Sequence, residues 1–132
     1  MENNVISIFI PTKPCPASRP RVSTFGAYYS KNYMNYRRDT HIFLKTIRDQ
    51  YPIDEDSLFE VDVEFICKKP ARPANPKCPF GDIDNYIKSP LDAITYSKMI
   101  WNDDVQILKV TGTKRYQEDG EDYGTKITIT KV

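Results

Sequence analysis

The sequence is poor in the features that would assign it to a membrane, a secretory route or a zinc-stapled fold. No apolar run approaches the roughly 18 residues a transmembrane helix needs, so no bilayer span is expected. The opening MENNVISIFI lacks a basic n-region and a small-residue cleavage site, which argues against a secretory signal. The three cysteines, Cys15, Cys67 and Cys78, form no CxxC pair. A structural zinc site is therefore not expected, and free thiols in a reducing cytoplasm are. Histidine occurs once, at His41, too few for chemistry built on paired imidazoles.

What is present is the composition of an ordinary globular protein, 39% apolar and 28% charged, in 132 residues. That length fits one domain, 1–132, with a single core. A net charge of +1 names no partner, but its distribution is uneven. From Lys13 to Arg48 eight Lys or Arg face one acid, Asp39. From Asp54 to Glu64 there are six acids and no base, and from Lys68 to Lys77 four bases and no acid. Blocks of opposite sign in so short a chain predict a polarised surface, one side of which attracts a polyanion.

VISIFI (Val5 to Ile10) reads as a buried strand ended by Pro11. The proline-rich PTKPCPASRPRVSTFGAYYS is an extended loop, closing into a short hairpin around Phe25-Gly26. Asn32 is the expected N-cap of a helix running to about Gln50, with Tyr33, Tyr36, Phe43, Leu44, Ile47 and Tyr51 on one face. Arg38, His41, Lys45 and Arg48 form a basic stripe on another face. LFEVDVEFICK alternates, with Phe59, Val61, Val63, Phe65 and Cys67 on one side and Glu60, Asp62 and Glu64 on the other, the pattern of a half-buried strand. Four prolines make Lys68 to Gly81 a loop, and a second helix is expected over roughly Asn85 to Ser97, with Pro90 in its first turn or at a kink. VQILKVTGTKRY and TKITITKV are two strands expected to form a hairpin through the turn QEDGEDYG. The order β-(loop)-α-β-α-β-β predicts one compact α/β domain with a mixed sheet and two main helices.

Asp82, Asp84, Lys88 and Asp92 crowd into GDIDNYIKSPLDAI. Carboxylates this close repel, by about 1 kcal/mol per pair at 4 Å in water and more where partly buried. In an extended segment the i, i+2 spacing of Asp82 and Asp84 puts both on one side. Asp84, Lys88 and Asp92 then run one turn apart along a helix. The segment WNDDVQI brings Asp103 and Asp104 to the start of the next strand. Two readings stand at this point. Converging carboxylates can hold a hard cation such as Mg²⁺, which activates water and stabilises charge on a phosphate under attack. Alternatively, Asp82 and Asp84 cap the helix and an i, i+4 ion pair to Lys88 holds it.

The motif D-I-D-N-x-x-K-x-x-x-D-A-I, followed by D-D-x-Q-I, resembles the signature of the RusA family of Holliday junction resolvases. The segment S-R-P-R-V-S-T-F-G-A-Y-Y-S is similar to the arginine-containing stretch that many members carry after their first strand. The likeness spans Pro11 to about Tyr116; Pro90 and the TYSKMIW segment, where many relatives have a shorter glycine turn, depart from it. The resemblance implies a RusA-like fold and a metal-dependent endodeoxyribonuclease that resolves four-way DNA junctions in recombination and repair. It implies Asp82, Asp84 and Asp104 as ligands of a catalytic Mg²⁺ (with Mn²⁺ as the alternative ion), Lys88 as the required lysine, and Asn85 and Asp92 as supporting residues. Asp103, adjacent to Asp104 and pointing away from it, is expected in a turn or supporting role. Paired cuts in a junction imply a homodimer with two equivalent sites, acting in the cytoplasm of a bacterial cell or phage-infected host.

Arg19 and Arg21, stiffened by Pro20, are candidates for contacts to successive phosphates, with Lys31, Arg38, Lys45 and Arg48 extending the track. Lys68, Lys69, Arg72 and Lys77 lead directly into Asp82 and are placed to hold a strand near the metal. Phe80 reads either as a wedge at a branch point or as ordinary packing. Two other classes compete: a non-catalytic nucleic-acid-binding domain with a structural divalent site, and a protein-interaction domain using the acidic strand Glu60-Asp62-Glu64.

Overall fold

In the computed structural model, residues 4–18, 21–24 and 26–132 are described, apart from the side chains of Arg21, Ser23, Ala27 and Tyr28. The elements follow the expected order: β1 (Val5–Ile10), the hairpin strands β2 (Arg21–Ser23) and β3 (Gly26–Tyr28), α1 (Lys31–Ile47), β4 (Phe59–Cys67), α2 (Ile83–Tyr96), β5 (Ile107–Tyr116) and β6 (Gly124–Lys131). Four strands form one sheet in the order β1-β6-β4-β5. β4 and β5 pair in parallel, Val61 opposite Val110 and Phe65 opposite Lys114. The other pairings, β1–β6 and β4–β6, are antiparallel. The parallel pair requires a crossover, and α2 supplies it. This is the mixed α/β sheet with two helices that the sequence pattern predicts.

Alternation along β4 sorts the two faces of the sheet. Phe59, Val61, Val63, Phe65 and Cys67 are buried in the core. On the opposite face Glu64 meets Arg115 at 3.5 Å and Lys126 at 3.8 Å, and Asp62 accepts a hydrogen bond from the Thr111 hydroxyl. The acids of the strand are thus largely matched by neighbours on their own sheet. Gly112, on the inner face of β5, lets α2 lie close: a Cβ there would fall 2.5 Å from Ile87 Cδ1 and 2.7 Å from its Cγ1. Among the described residues no helix is long and apolar enough to cross a membrane.

Four local expectations are corrected. β5 and β6 form no hairpin, because β4 lies between them and pairs with both. β1 is not buried throughout; it is an edge strand whose Ile8 and Ile10 face the core while Val5 and Phe9 are exposed. The N-cap of α1 is Ser30, whose Oγ accepts from the Tyr33 N–H at 3.4 Å, not Asn32, which lies inside the helix. α2 begins at Ile83, two residues earlier than expected, and carries Pro90 well inside it.

Candidate active site

The earlier start of α2 changes the geometry of the acidic motif. Asp82 is the N-cap residue, in extended backbone, and Asp84 already lies in the first helical turn. The two carboxylates are therefore not presented by one extended segment. The capping alternative is met in position, with Asp82 at the N-cap and Asp84 in the first turn, but not in hydrogen bonding. The Asp82 backbone carbonyl accepts from Asn85 and Tyr86, both at 3.1 Å, but its carboxylate makes no capping hydrogen bond. Asp82, Asp84 and Lys88 are all exposed, and among the described residues none of their side chains has a hydrogen-bond or ion-pair partner. The i, i+4 bridge from Asp84 to Lys88 is not formed. Two carboxylates thus stand at the positive end of a helix without being consumed by it.

The second acidic limb is the connection from α2 to β5. It passes through two non-glycine residues in left-handed backbone, Lys98 (φ 56°) and Ile100 (φ 67°). A β-branched residue seldom adopts that conformation. Here fully buried Met99 and Trp101 flank it, and backbone hydrogen bonds pin it to the 51–54 loop: Ile100 N–H to Tyr51 at 3.0 Å, and Asp54 N–H to Ile100 at 2.9 Å. Beyond it Asp103 caps a 3-10 turn over Asp104–Gln106, its Oδ1 accepting from the Val105 N–H at 3.0 Å. Buried Gln106 locks this turn with both ends of its amide. Its Oε1 accepts from Asn102 N–H at 2.7 Å and Asp103 N–H at 3.2 Å. Its Nε2 donates to the carbonyls of Asp54 and Ser57, each at 2.8 Å.

Electrostatics set the two carboxyls of this limb apart. Asp104 is pushed up, first by its hydrogen bond with the Asp103 side chain, then by partial burial and the charges of Asp103 and Asp92. Asp103 is held down, first by the Val105 N–H. Asp92, on α2, is also raised, by burial, against the lowering pull of Lys88 and of Arg37 on α1. Asp104 therefore feels Asp92, and Asp92 feels Lys88 and Arg37. Among the described residues no three Asp, Glu, His or Cys side chains gather into a ready-made metal cluster. The donor chemistry nevertheless suits a hard divalent cation: the groups are carboxylates, mostly exposed, and the crowding that raises Asp104 is what such an ion relieves.

The proline-rich segment is fastened across α2. The Ala17 N–H donates to the Asn85 carbonyl at 2.8 Å, and the Ser89 hydroxyl donates to the Cys15 carbonyl at 2.7 Å. Pro90 removes one helical N–H from this face without ending the helix. A groove of about 1150 Å³ opens beside the junction, lined by Lys13, Ser18, Asn35, Lys68, Asp82 and Asn85 among others. Lys68, Lys69, Arg72 and Lys77 are exposed on the loop that leads into Asp82. Tyr116 anchors that loop, its hydroxyl 2.8 Å from the carbonyls of both Asn75 and Cys78, and Lys69 lies 5.9 Å from the Tyr116 ring. Lys31 is exposed at the first turn of α1, and Arg38 is exposed but engaged with Asp39 at 3.0 Å. Phe80 projects from the loop, 84% exposed. Arg19 lies outside the described residues, and of Arg21 only the backbone, in β2, is described.

A family model for endodeoxyribonuclease RusA matches residues 11–130 of this chain. The chain belongs to the RusA endodeoxyribonuclease family. No curated protein matches it. The match takes in the proline-rich segment, both acidic limbs and the basic loop, so the RusA motif and the site described above are the same region of the molecule. Three residues of this RusA-family site escaped the sequence reading of roles. Arg37, counted only as part of a basic block, stacks 5.1 Å from the Tyr29 ring and acts electrostatically on Asp92. Gln106 is visible in the D-D-x-Q-I motif, but its four partners are not. Lys114 sits in a strand pattern that gives no sign of what it holds.

Proposed function

We propose that this RusA-family chain is a Mg²⁺-dependent endodeoxyribonuclease that resolves Holliday junctions by paired strand cuts, as a homodimer, in DNA recombination and repair. The observation that carries the reading is the unspent state of Asp82 and Asp84. These carboxylates make no capping hydrogen bond and no pair with the lysine one turn away, so beyond their favourable place at the helix N-terminus their lone pairs are left for a ligand. Asp104, raised by carboxylate crowding, supports the same reading from the opposite limb.

In this reading Asp82, Asp84 and Asp104 hold the ion, with Mn²⁺ able to replace Mg²⁺. Bound there, the metal supplies an acidified water and neutralises charge on the scissile phosphate. The protein's own groups do the rest. Lys88, exposed and without an acidic partner within ion-pair range, offers a point charge to the phosphate. Asp92, on the same helix as Lys88, feels the charges of Lys88 and Arg37 and supports the site electrostatically. Arg19, Arg21, Lys31, Arg38, Lys69, Arg72 and Lys77 bind backbone phosphates, and each contact makes binding weaken as salt rises. The acidic strand is a poor candidate for partner binding, because Asp62 and Glu64 already have partners on the sheet.

The test is a synthetic four-way junction beside a linear duplex of matched sequence, each with and without Mg²⁺. Wild type is expected to place symmetric nicks across the junction only with metal, and Asp82→Asn to bind the junction and leave it uncut. A protein that binds junctions equally well with and without metal and never cuts them is the non-catalytic binding module instead.

A further inference from the structure

Lys114 lies on the face of β5 that packs toward the core, in register with buried Phe65. A lysine there has to satisfy an ammonium in a half-buried setting. Among the described residues it has no carboxylate within ion-pair distance. Its Nζ donates instead to two backbone carbonyls, Pro79 at 2.7 Å and Gly81, and lies 5.7 Å from the Tyr86 ring centre. The carbonyl between them, that of Phe80, accepts from the Tyr86 hydroxyl at 2.7 Å. Three consecutive carbonyls immediately before Asp82 are thus drawn inward by two side chains, one on β5 and one on α2.

The consequence falls on Asp82. With the carbonyls of residues 79–81 turned inward, the chain leaves Gly81 in left-handed backbone (φ 109°) and enters Asp82 as the N-cap of α2. Any other residue at 81 would be strained at this φ, and its Cβ would press at 3.1 Å on both Pro16 Cγ and Tyr86 Cε2. No hydrogen bond ties the Asp82 carboxylate to the helix, so this backbone sets where its Cα–Cβ bond points while the side-chain torsions stay open to a ligand. We propose that Lys114 is a positioning residue for metal binding, which holds the backbone from which the Asp82 carboxylate reaches by clamping the Pro79 and Gly81 carbonyls. The proposal rests on the metal role of Asp82 set out above. It assigns Lys114 no contact with DNA or with the reacting phosphate.

The test compares wild type, Lys114→Met, Lys114→Arg and Asp82→Asn. Free Mn²⁺ is counted by its electron paramagnetic resonance signal, junction affinity is measured without metal, and cleavage is measured in a single turnover. Lys114→Met is expected to weaken Mn²⁺ binding about tenfold and slow cleavage at least tenfold, with junction affinity within threefold of wild type. Raising Mn²⁺ is expected to recover part of the lost rate. Lys114→Arg, which keeps a cation with donors, is expected to fall between the two. Should Lys114→Met not fold, Lys114→Gln, which retains two donors, takes its place in the same comparison. A folded Lys114→Met with wild-type Mn²⁺ affinity overturns the proposal, as does loss of junction affinity in step with cleavage. If wild type binds no Mn²⁺, or Asp82→Asn binds it as well as wild type does, the metal role of Asp82 fails instead, and the two failures are told apart.

Discussion

Gln106→Leu removes a side chain of similar size from the turn that carries Asp103 and Asp104, and with it four hydrogen bonds. Each is worth about 0.5–1.5 kcal/mol net, and a buried partner left unpaired costs about 1–3 kcal/mol. Asn102 and Asp103 are exposed, so water can replace the bonds to their N–H groups. The carbonyls of Asp54 and Ser57 are half-sheltered and recover less. The balance is a loss of about 2–4 kcal/mol, or on the order of 10 °C in melting temperature for a domain of this size. Trp101, the single tryptophan, is fully buried beside this turn and reports unfolding through its emission in a urea titration. Gln106→Glu separates shape from donation. It keeps an acceptor for the Asn102 and Asp103 N–H groups but turns a second oxygen toward two carbonyls, so it is expected to lose at least as much as Leu. A Gln106→Leu protein within 0.5 kcal/mol of wild type would refute the view that this amide holds the second acidic limb in place.

Gly112→Ala forces Ile87 to move, because the new Cβ would sit 2.5 Å from its Cδ1. A loss of about 1–2 kcal/mol is expected in the same titration, and more for Gly112→Val. Two carboxyls are held at about 2: Asp54, first by its hydrogen bond with Lys131, and Glu121, first by its bonds to Arg115. Both folded values lie below the unfolded values of about 4. Their stabilisation is therefore present above pH 4 or so and drains away as pH falls toward 2. Asp54→Asn and Glu121→Gln are each expected to lower the urea midpoint at pH 6 and to differ less from wild type at pH 2.5; equal differences at both values would contradict the linkage. Substituting Lys69, Arg72 and Lys77 together by alanine is expected to weaken junction affinity and to flatten its salt dependence by about 3 in log–log slope. An unchanged slope would remove that loop from the binding track.

Much of the fold is legible in the sequence because its signals are local and periodic. The alternation from Phe59 to Cys67 reports a strand with one face buried, and the spacing of Tyr33, Tyr36 and Leu44 reports the buried stripe of α1. β1 misleads because VISIFI has large apolar residues on both faces, with only Ser7 polar, and its pairing on one side alone makes it an edge. Both helices start two residues before the expected point: Ser30 and Asn32 are both capping residue types, and only the structure shows that the Ser30 side chain meets the Tyr33 N–H. Within the site the acidic motif is readable, but the groups that support it are not. Gln106 reaches carbonyls 49 and 52 residues away, and Lys114 reaches carbonyls 33 and 35 residues away. Such bonds join a side chain to backbone, so the identity of the distant residues carries no trace of them. The left-handed Ile100 is hidden for a related reason: the sequence offers no glycine, and tertiary packing holds the conformation.

The central claim is that two acidic limbs, separate in sequence and not yet gathered in this structure, close on one divalent ion. A crystal grown with Mn²⁺ and a four-way junction, examined by anomalous diffraction, tests it directly. The expected map has a manganese peak within coordination distance of carboxylate oxygens from both Asp82 and Asp104. A peak ligated by one limb alone, with the other turned away in every protomer, would contradict the account.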